Sequence, residues 1–344
     1  MLQAQSLPTE PLLGITMGDA AGIGPEIIVK LLTEGLPAPC VVYGDVASLR
    51  RAIVAQNSAL EIVELDEIDA SVHARLSSLG HSPCLYVRPT SPALPEDLAM
   101  GRVDARAGQA AYDALCMAID DARSGRISAI VTAPLNKEAM HAAGLDFPGH
   151  TEILAQRTHT EHVAMMLVNE QLRVILATIH IALADVPQTI TQALELRTIE
   201  LAHAACLGMG IEAPRVAVAG LNPHAGENGK FGREEKDAIL PAIAQARAQG
   251  INATGPWPGD TVFMRARKGE FDIVVAQYHD QGLIPIKYLG VDEGVNVTVG
   301  LPFVRTSVDH GTAFDIAGKG IADPSSLETA FKLAISMLGS KAKG

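Results

Sequence analysis

Ile273-Val274-Val275-Ala276-Gln277-Tyr278-His279 is an apolar, β-branched run that stops at a histidine. Two other stretches share the design: Val174-Ile175-Leu176-Ala177-Thr178-Ile179-His180 and Val216-Ala217-Val218-Ala219-Gly220-Leu221-Asn222-Pro223-His224. Short continuous runs bounded by turn residues read as strands buried on both faces. Such strands belong to parallel sheets covered by helices, and in open α/β sheets chemistry collects beyond the carboxyl ends of the strands. Three imidazoles delivered to that rim are placed to hold one divalent metal and leave positions open for substrate. A single histidine at a strand end is more often a hydrogen-bonded structural residue. Repetition of the pattern in three polar turns favours ligation.

Outward from these runs, strand-like and helix-like segments alternate along the chain, which predicts an α/β fold with a mostly parallel sheet. Strands are expected at Leu12–Thr16, Cys40–Tyr43, Glu61–Leu65, Cys84–Arg88 and Ala129–Thr132, with Val295–Val299 as the last clear one. Helices are expected from Pro25 to Leu32, Ala107 to Ala122, Gln188 to Leu207, Arg233 to Ala248 and Ser325 to Leu338. Gly80 to Leu98 reads otherwise as loop, Ala133 to Lys137 as a turn, and Met1 to Pro11 as a polar lead-in.

With 344 residues the chain is long enough for two domains. The expected division is residues 1–140 with about 305–344 against about 141–304. A net charge of −12 argues against nucleic acid as a partner. No apolar stretch approaches the ~18 residues of a membrane span, and no signal-peptide pattern opens the chain. The four cysteines, Cys40, Cys84, Cys116 and Cys206, are scattered without a C-x-x-C pair, which fits the reducing cytoplasm.

The histidines differ in context. His224 lies in Asn222-Pro223-His224-Ala225-Gly226-Glu227-Asn228-Gly229, where glycine lets backbone approach a ligand. His279 is followed by Asp280, a carboxylate able to orient an imidazole or to work as acid or base. His180 stands between two isoleucines. Neutral imidazole suits zinc, cobalt, nickel or iron better than magnesium. Pro148-Gly149-His150-Thr151-Glu152 offers backbone N–H groups, a hydroxyl and a cation to an anionic oxygen, or else an ordinary helix cap by Thr151. Lys287 and Arg305, isolated basic residues among apolar neighbours, are candidates for a phosphate or carboxylate clamp or for surface ion pairs. The turn Gly18-Asp19-Ala20-Ala21-Gly22-Ile23-Gly24 is not G-x-G-x-x-G, and a tight strand-to-helix connection accounts for it.

Together these segments resemble the 4-hydroxythreonine-4-phosphate dehydrogenases of pyridoxal phosphate biosynthesis and their close relatives. The shared signatures are Gly18-Asp19-x-Ala21-Gly22-Ile23-Gly24-Pro25-Glu26, Gly149-His150-Thr151-Glu152, Leu221 to Glu227, Tyr278-His279-Asp280-Gln281-Gly282-Leu283, and the run from Gly294-Val295-Asn296 to Lys319-Gly320. His310 to Gly320 is also similar to the adenine-side loop of isopropylmalate and isocitrate dehydrogenases, enzymes that bind NAD or NADP without a Rossmann motif. The resemblance implies their α/β/α fold, with two domains and a cleft between them, the first on the cofactor side and the second on the metal and dimer side. It implies His180, His224 and His279 as ligands of a divalent metal (zinc, cobalt, magnesium or manganese), in a site completed across a homodimer interface. It implies His150, Thr151, Lys287, Asn296 and Arg305 at the substrate, and His310, Gly311, Thr312 and Asp315 at NAD or NADP. Lys287, Asp260 and Asp280 are the implied acid/base candidates.

Two departures bear on the substrate. Ala20 replaces the proline usual in the first glycine turn, and Thr132-Ala133-Pro134-Leu135-Asn136-Lys137 differs from the Thr-Gly-Pro-Val-His-Lys form of the biosynthetic enzymes. The expected reaction is oxidation and decarboxylation of a small phosphorylated 3-hydroxy acid, 4-phosphohydroxy-L-threonine giving 3-amino-2-oxopropyl phosphate. The alternatives are 4-phospho-D-threonate or D-erythronate giving dihydroxyacetone phosphate, an aromatic cis-dihydrodiol carboxylate, a non-redox metal-dependent lyase, or a non-catalytic metabolite sensor.

Overall fold

The computed structural model describes residues 11–78, 84–290 and 294–341. The Met1–Pro11 lead-in, apart from Pro11, and residues 80–83 of the expected loop lie outside them. In chain order the strands are β1 (Leu13–Thr16), β2 (Cys40–Gly44), β3 (Glu61–Glu64), β4 (Cys84–Pro89), β5 (Ala129–Thr132), β6 (Ala164–Val168), β7 (Arg173–Leu176), β8 (Val216–Ala219), β9 (Ala253–Trp257), β10 (Ile273–Ala276), β11 (Val295–Val299) and β12 (Val304–Val308). The helices are α1 (Gly24–Glu34), α2 (Val46–Ala55), α3 (Ala70–Ser78), α4 (Ala105–Arg123), α5 (Lys137–Ala142), α6 (His150–Thr158), α7 (Val186–Thr189), α8 (Gln192–Gly208), α9 (Leu240–Ala248), α10 (Val262–Arg267), α11 (His279–Leu289) and α12 (Ser325–Lys341).

The chain forms two compact units, one from the residues up to Thr160 with Leu301–Leu338, the other from Glu161–Gly300. The first turnover point lies some twenty residues beyond the expected one at 140/141. The reason is packing: Ile153 and Leu154 of α6 are buried in one core with Ala114, Leu115, Ala118 and Ile119 of α4, so α6 stays with the first unit.

In the first unit the strands run in the order β3-β4-β2-β1-β5-β12, all parallel. β1 and β5 are buried along their whole length, as strands covered on both faces must be. Helix α4 starts where the Asp104 side chain accepts from the Arg106 N–H, and it lays a face of alanines against the strands. Its Gly108 sits against the Ala139 backbone of α5, where a side chain would collide. A buried carboxylate, Asp121, gathers Tyr43 Oη (2.8 Å), Arg126 Nη1 (2.9 Å) and Arg88 Nη1 beneath this layer.

β12 is a strand that the apolar pattern hides, so Val295–Val299 is not the last. Three of its five residues, Arg305, Thr306 and Ser307, are polar, yet all five are buried. Each polar side chain has a partner: Arg305 and Ser307 bond to Thr132, and the Thr306 hydroxyl donates to the Ala330 carbonyl at 2.8 Å. Lys137, expected in a turn, begins α5, because the Asn136 side chain accepts from the Ala139 N–H at 2.8 Å.

In the second unit the order is β11-β6-β7-β10-β8-β9. β7, β10 and β8 are adjacent and parallel, while β6 pairs antiparallel with both β7 and β11. The mostly parallel expectation therefore holds with one reversed strand. The helix expected from Gln188 begins at Gln192, where Thr191 caps it, after the separate short α7. The one expected from Arg233 opens with a wide π turn at Glu235–Ile239 before α9. No helix among the described residues is long and apolar enough to cross a membrane.

Candidate active site

The second unit carries the histidines. Since β7, β10 and β8 lie side by side and point the same way, the segments that follow them emerge at one rim. His180 comes four residues after β7, His224 five after β8, and His279 opens α11 after β10. The rings of His180 and His279 lie 5.8 Å apart, centre to centre. His279 Nδ1 and Asp280 Oδ1 are 2.8 Å apart, and a carboxylate in that place favours the tautomer with its proton on Nδ1. Asp260 is exposed, in the turn between β9 and α10; its neighbour Gly259 lies against the Gln281 side chain of α11. Asp280 and Lys287 are seven residues apart on α11 and share a face. Asn296 is half-buried on β11, opposite Leu167.

His224 makes a different set of contacts. It lies 3.3 Å from Glu227 and edge-on to Phe231. Residues 224–228 all have positive φ, between 43° and 79°, and only Gly226 is a glycine. Non-glycine residues in this region cost on the order of 1 kcal/mol each, so something must hold them. That support comes from buried Glu235, which accepts from the Asn222 N–H (2.7 Å) and Nδ2 (3.0 Å) and packs under Gly226. Among the described residues no group of three or more His, Cys, Asp or Glu side chains gathers as a metal cage.

The first unit holds a cationic cluster. Arg305 of β12 is buried and donates from Nη2 to Thr132 Oγ1 of β5 at 2.7 Å. Burial lowers its proton affinity, and the Glu152 carboxylate of α6 works against that. His150 is the first residue of α6, and Gly149 is the residue that caps it, so Thr151 is not the cap. Burial pushes the His150 imidazole well below its ordinary range, and the charges of Arg305 and Lys137 push the same way. His150 therefore stands neutral, where the sequence suggested a cation, and offers one N–H. Lys137 lies against Gly149, with Cε 3.8 Å from where a side chain on that glycine would begin. A guanidinium, an ammonium and the N–H groups of a helix start thus converge on one spot, a setting for an anion. Sequence reading singled out His150, Thr151 and Arg305 but not Lys137 or Thr132. The available signal was a strand, Ala129–Thr132, followed by a helix-capping asparagine and a lysine.

The glycine turn after β1 does more than reverse the chain. Gly22 sits against Thr312, and the Ile23 N–H donates to the Thr312 carbonyl at 3.1 Å. Buried Glu26 accepts from the N–H groups of Gly318 and Gly320. The loop with His310, Gly311, Thr312 and Asp315 is thereby docked on the β1–α1 turn. Asp19 in that turn is fully buried; its Oδ1 accepts from the Ala21 N–H at 2.8 Å, and Oδ2 has no hydrogen-bond partner among the described residues. Burial, reinforced by Asp104, outweighs the Ala21 bond and pushes its carboxyl up to about 6.

Comparison with known proteins identifies the family. Residues 36–334 match the family described as "Pyridoxal phosphate biosynthetic protein PdxA". A 4-hydroxythreonine-4-phosphate dehydrogenase of Beijerinckia indica is 54% identical over 94% of each chain. A D-threonate 4-phosphate dehydrogenase of Cupriavidus necator is 52% identical over 94% of this chain and 96% of its own. The crystal structure of a 4-hydroxythreonine-4-phosphate dehydrogenase from Klebsiella pneumoniae superposes with a TM-score of 0.86 at 46% identity, covering 96% and 99%. A β-decarboxylating dehydrogenase from Thermococcus kodakarensis, 13% identical with a TM-score of 0.50 over 96% of this chain and 84% of its own, shares the fold alone, as expected for an isocitrate/isopropylmalate dehydrogenase-like architecture. On the extent of these matches, the chain belongs to the PdxA family of dehydrogenases.

Proposed function

We propose that this enzyme oxidises the secondary alcohol of a phosphorylated 3-hydroxy acid with NAD (or NADP), in the presence of a divalent cation, and releases carbon dioxide. The foremost substrate is 4-phosphohydroxy-L-threonine, which gives 3-amino-2-oxopropyl phosphate. The second reading is 4-phospho-D-threonate or D-erythronate, which gives dihydroxyacetone phosphate. It is favoured by Asn136, which stands where the biosynthetic enzymes carry histidine and whose side chain is spent on capping α5. The observation that carries the reading is the pairing of His180 and His279 at 5.8 Å beyond the ends of neighbouring parallel strands, one ring oriented by Asp280.

His180 and His279 fit a divalent cation by donor type, with zinc or cobalt preferred and magnesium or manganese less suited. We assign His224 as the third ligand, supplied by the second subunit of a homodimer. A bound cation would supply Lewis acidity toward the substrate's oxygens, and a bound nicotinamide would supply a hydride acceptor. Arg305, Lys137, the neutral N–H of His150 and the Thr151 hydroxyl hold the phosphate and fix the substrate. Asn296 and Lys287 orient the hydroxy acid. Lys287, Asp260 or Asp280 takes the alcohol proton and returns one to carbon after carbon dioxide leaves. His310, Gly311, Thr312 and Asp315 line the adenine side of the cofactor, on a loop that Glu26 holds in place. The acidic surface and scattered cysteines fit a cytoplasmic enzyme with no nucleic-acid or membrane partner.

The test is NADH absorbance with each phosphorylated acid, before and after chelation and after zinc or cobalt is restored. Growth of signal that chelation abolishes and metal restores supports the reading. Turnover unaffected by thorough chelation, or product formed without NADH, refutes it.

A further inference from the structure

We propose that Glu195 is a positioning residue for the histidine rim of the second unit, acting through Gln277. The inference rests on the reading of His180 and His279 as metal ligands. Gln277 directly follows β10, two residues before His279, and is fully buried. Its groups reach every segment that carries a rim histidine. The Thr178 hydroxyl, two residues before His180, donates to the Gln277 carbonyl at 2.7 Å. The Gln277 N–H donates to Gln281 Oε1 at 2.7 Å, and Gln281 Nε2 donates to the Gly220 carbonyl at 2.8 Å, just past β8. The Gln277 side-chain Nε2 donates to the Ala219 carbonyl at 2.9 Å and to Glu195 Oε2 at 3.3 Å.

Two acceptors are what lock a primary amide, because each takes one of its two N–H groups. Without Glu195, Gln277 keeps only Ala219, and its side chain is free to turn. The carboxylate is otherwise a poor choice for this place. Glu195 is fully buried on α8, and its Oε1 has no hydrogen-bond partner among the described residues. Burial pushes its carboxyl up to about 7, and the Gln277 bond offsets only part of that. An apolar side chain of similar volume at such a site is often neutral or stabilising. A group that costs stability and terminates a network through three ligand-bearing segments is better explained by geometry than by strength.

The experiment titrates the full-length protein with Co²⁺ at fixed pH, reading the d–d absorption, the dissociation constant and Tm for wild type, Glu195→Leu and Glu195→Gln. Glutamine keeps an acceptor for Gln277; leucine does not. The expected result for Glu195→Leu is cobalt bound about 10-fold more weakly, with altered absorption and no loss of Tm, the lower end of what outer hydrogen-bond partners of ligands contribute. Glu195→Gln should restore wild-type affinity and spectrum. Unchanged cobalt affinity and spectrum in Glu195→Leu overturn the inference, as does a Glu195→Gln variant no better than the leucine variant. Should Glu195→Leu fail to fold, Gln277→Met removes the same amide link from its other end and is expected to weaken cobalt likewise; wild-type affinity there also overturns it. Wild type that binds cobalt no better than His279→Ala would instead remove the metal reading itself.

Discussion

Arg305 Nη2 reaches Thr132 Oγ1 at 2.7 Å across two neighbouring parallel strands, entirely within the core of the first unit. A guanidinium kept in such a place at such cost is held for an anion, and Glu152 is its nearby carboxylate. Arg305→Ala should raise KM for the phosphorylated substrate by about 100-fold, roughly 2.7 kcal/mol, with a much smaller effect on a dephosphorylated analogue. Equal losses on both substrates would count against a phosphate clamp.

Lys137 tests the electrostatics of the same cluster. Its charge, with burial and Arg305, keeps His150 neutral. Lys137→Met should therefore let His150 take up a proton at higher pH than in wild type. The acid limb of the kcat/KM profile attributable to His150 should move upward in pH, and an unmoved or downward-shifted limb would exclude the coupling.

Asp19 predicts a pH-dependent stability. Its folded carboxyl is raised from 3.8 to about 6, chiefly by burial. The folded state holds that proton more tightly than the unfolded chain, so the group costs nothing at low pH and progressively more as pH rises through this window. The full cost, about 3 kcal/mol at roughly 1.4 kcal/mol per pH unit, applies above pH 6. Asp19→Asn should melt higher than wild type at pH 7.5, with the difference vanishing near pH 4. A gain of the same size at both pH values would be inconsistent with this account.

Asp121 offers a test of stability remote from chemistry. Removing it strands Arg88 and Tyr43 in the core and frees Arg126. Asp121→Ala should lower stability by about 3 to 5 kcal/mol in urea titrations, while folded protein keeps wild-type KM. A loss below about 1 kcal/mol would show that the ion cluster is not desolvated as described.

His224 tests the shared site. His224→Ala and His180→Ala should each lose metal and activity while remaining folded. Mixed and allowed to exchange subunits, the two inactive proteins should recover about a quarter of wild-type activity, since half the dimers then hold one intact site. No recovery in a mixture shown to contain hybrid dimers would place all three ligands in one chain.

Much of this molecule was legible in its sequence because buried parallel strands announce themselves. β5 was read at its observed limits, and β7, β8 and β10 were found through their valines and isoleucines. What escaped was structure written in polar residues. β12 hides because Arg305, Thr306 and Ser307 look like surface, and only their partners Thr132 and Ala330 make them interior. Lys137 escaped because its role depends on Gly149, which a linear reading does not place beside it. The neutrality of His150 belongs to the same class, since it follows from two cations contributed by other elements.

The partnership of β5 with β12 sets a timetable for the ribosome. Thr132 is synthesised 173 residues before Arg305 arrives to bond it. Through that interval the nascent first unit carries an open strand edge at β5, the kind of surface that recruits stray chains. A truncated gene product ending before Val304 would keep that edge permanently and should be found in inclusion bodies or in the grip of chaperones.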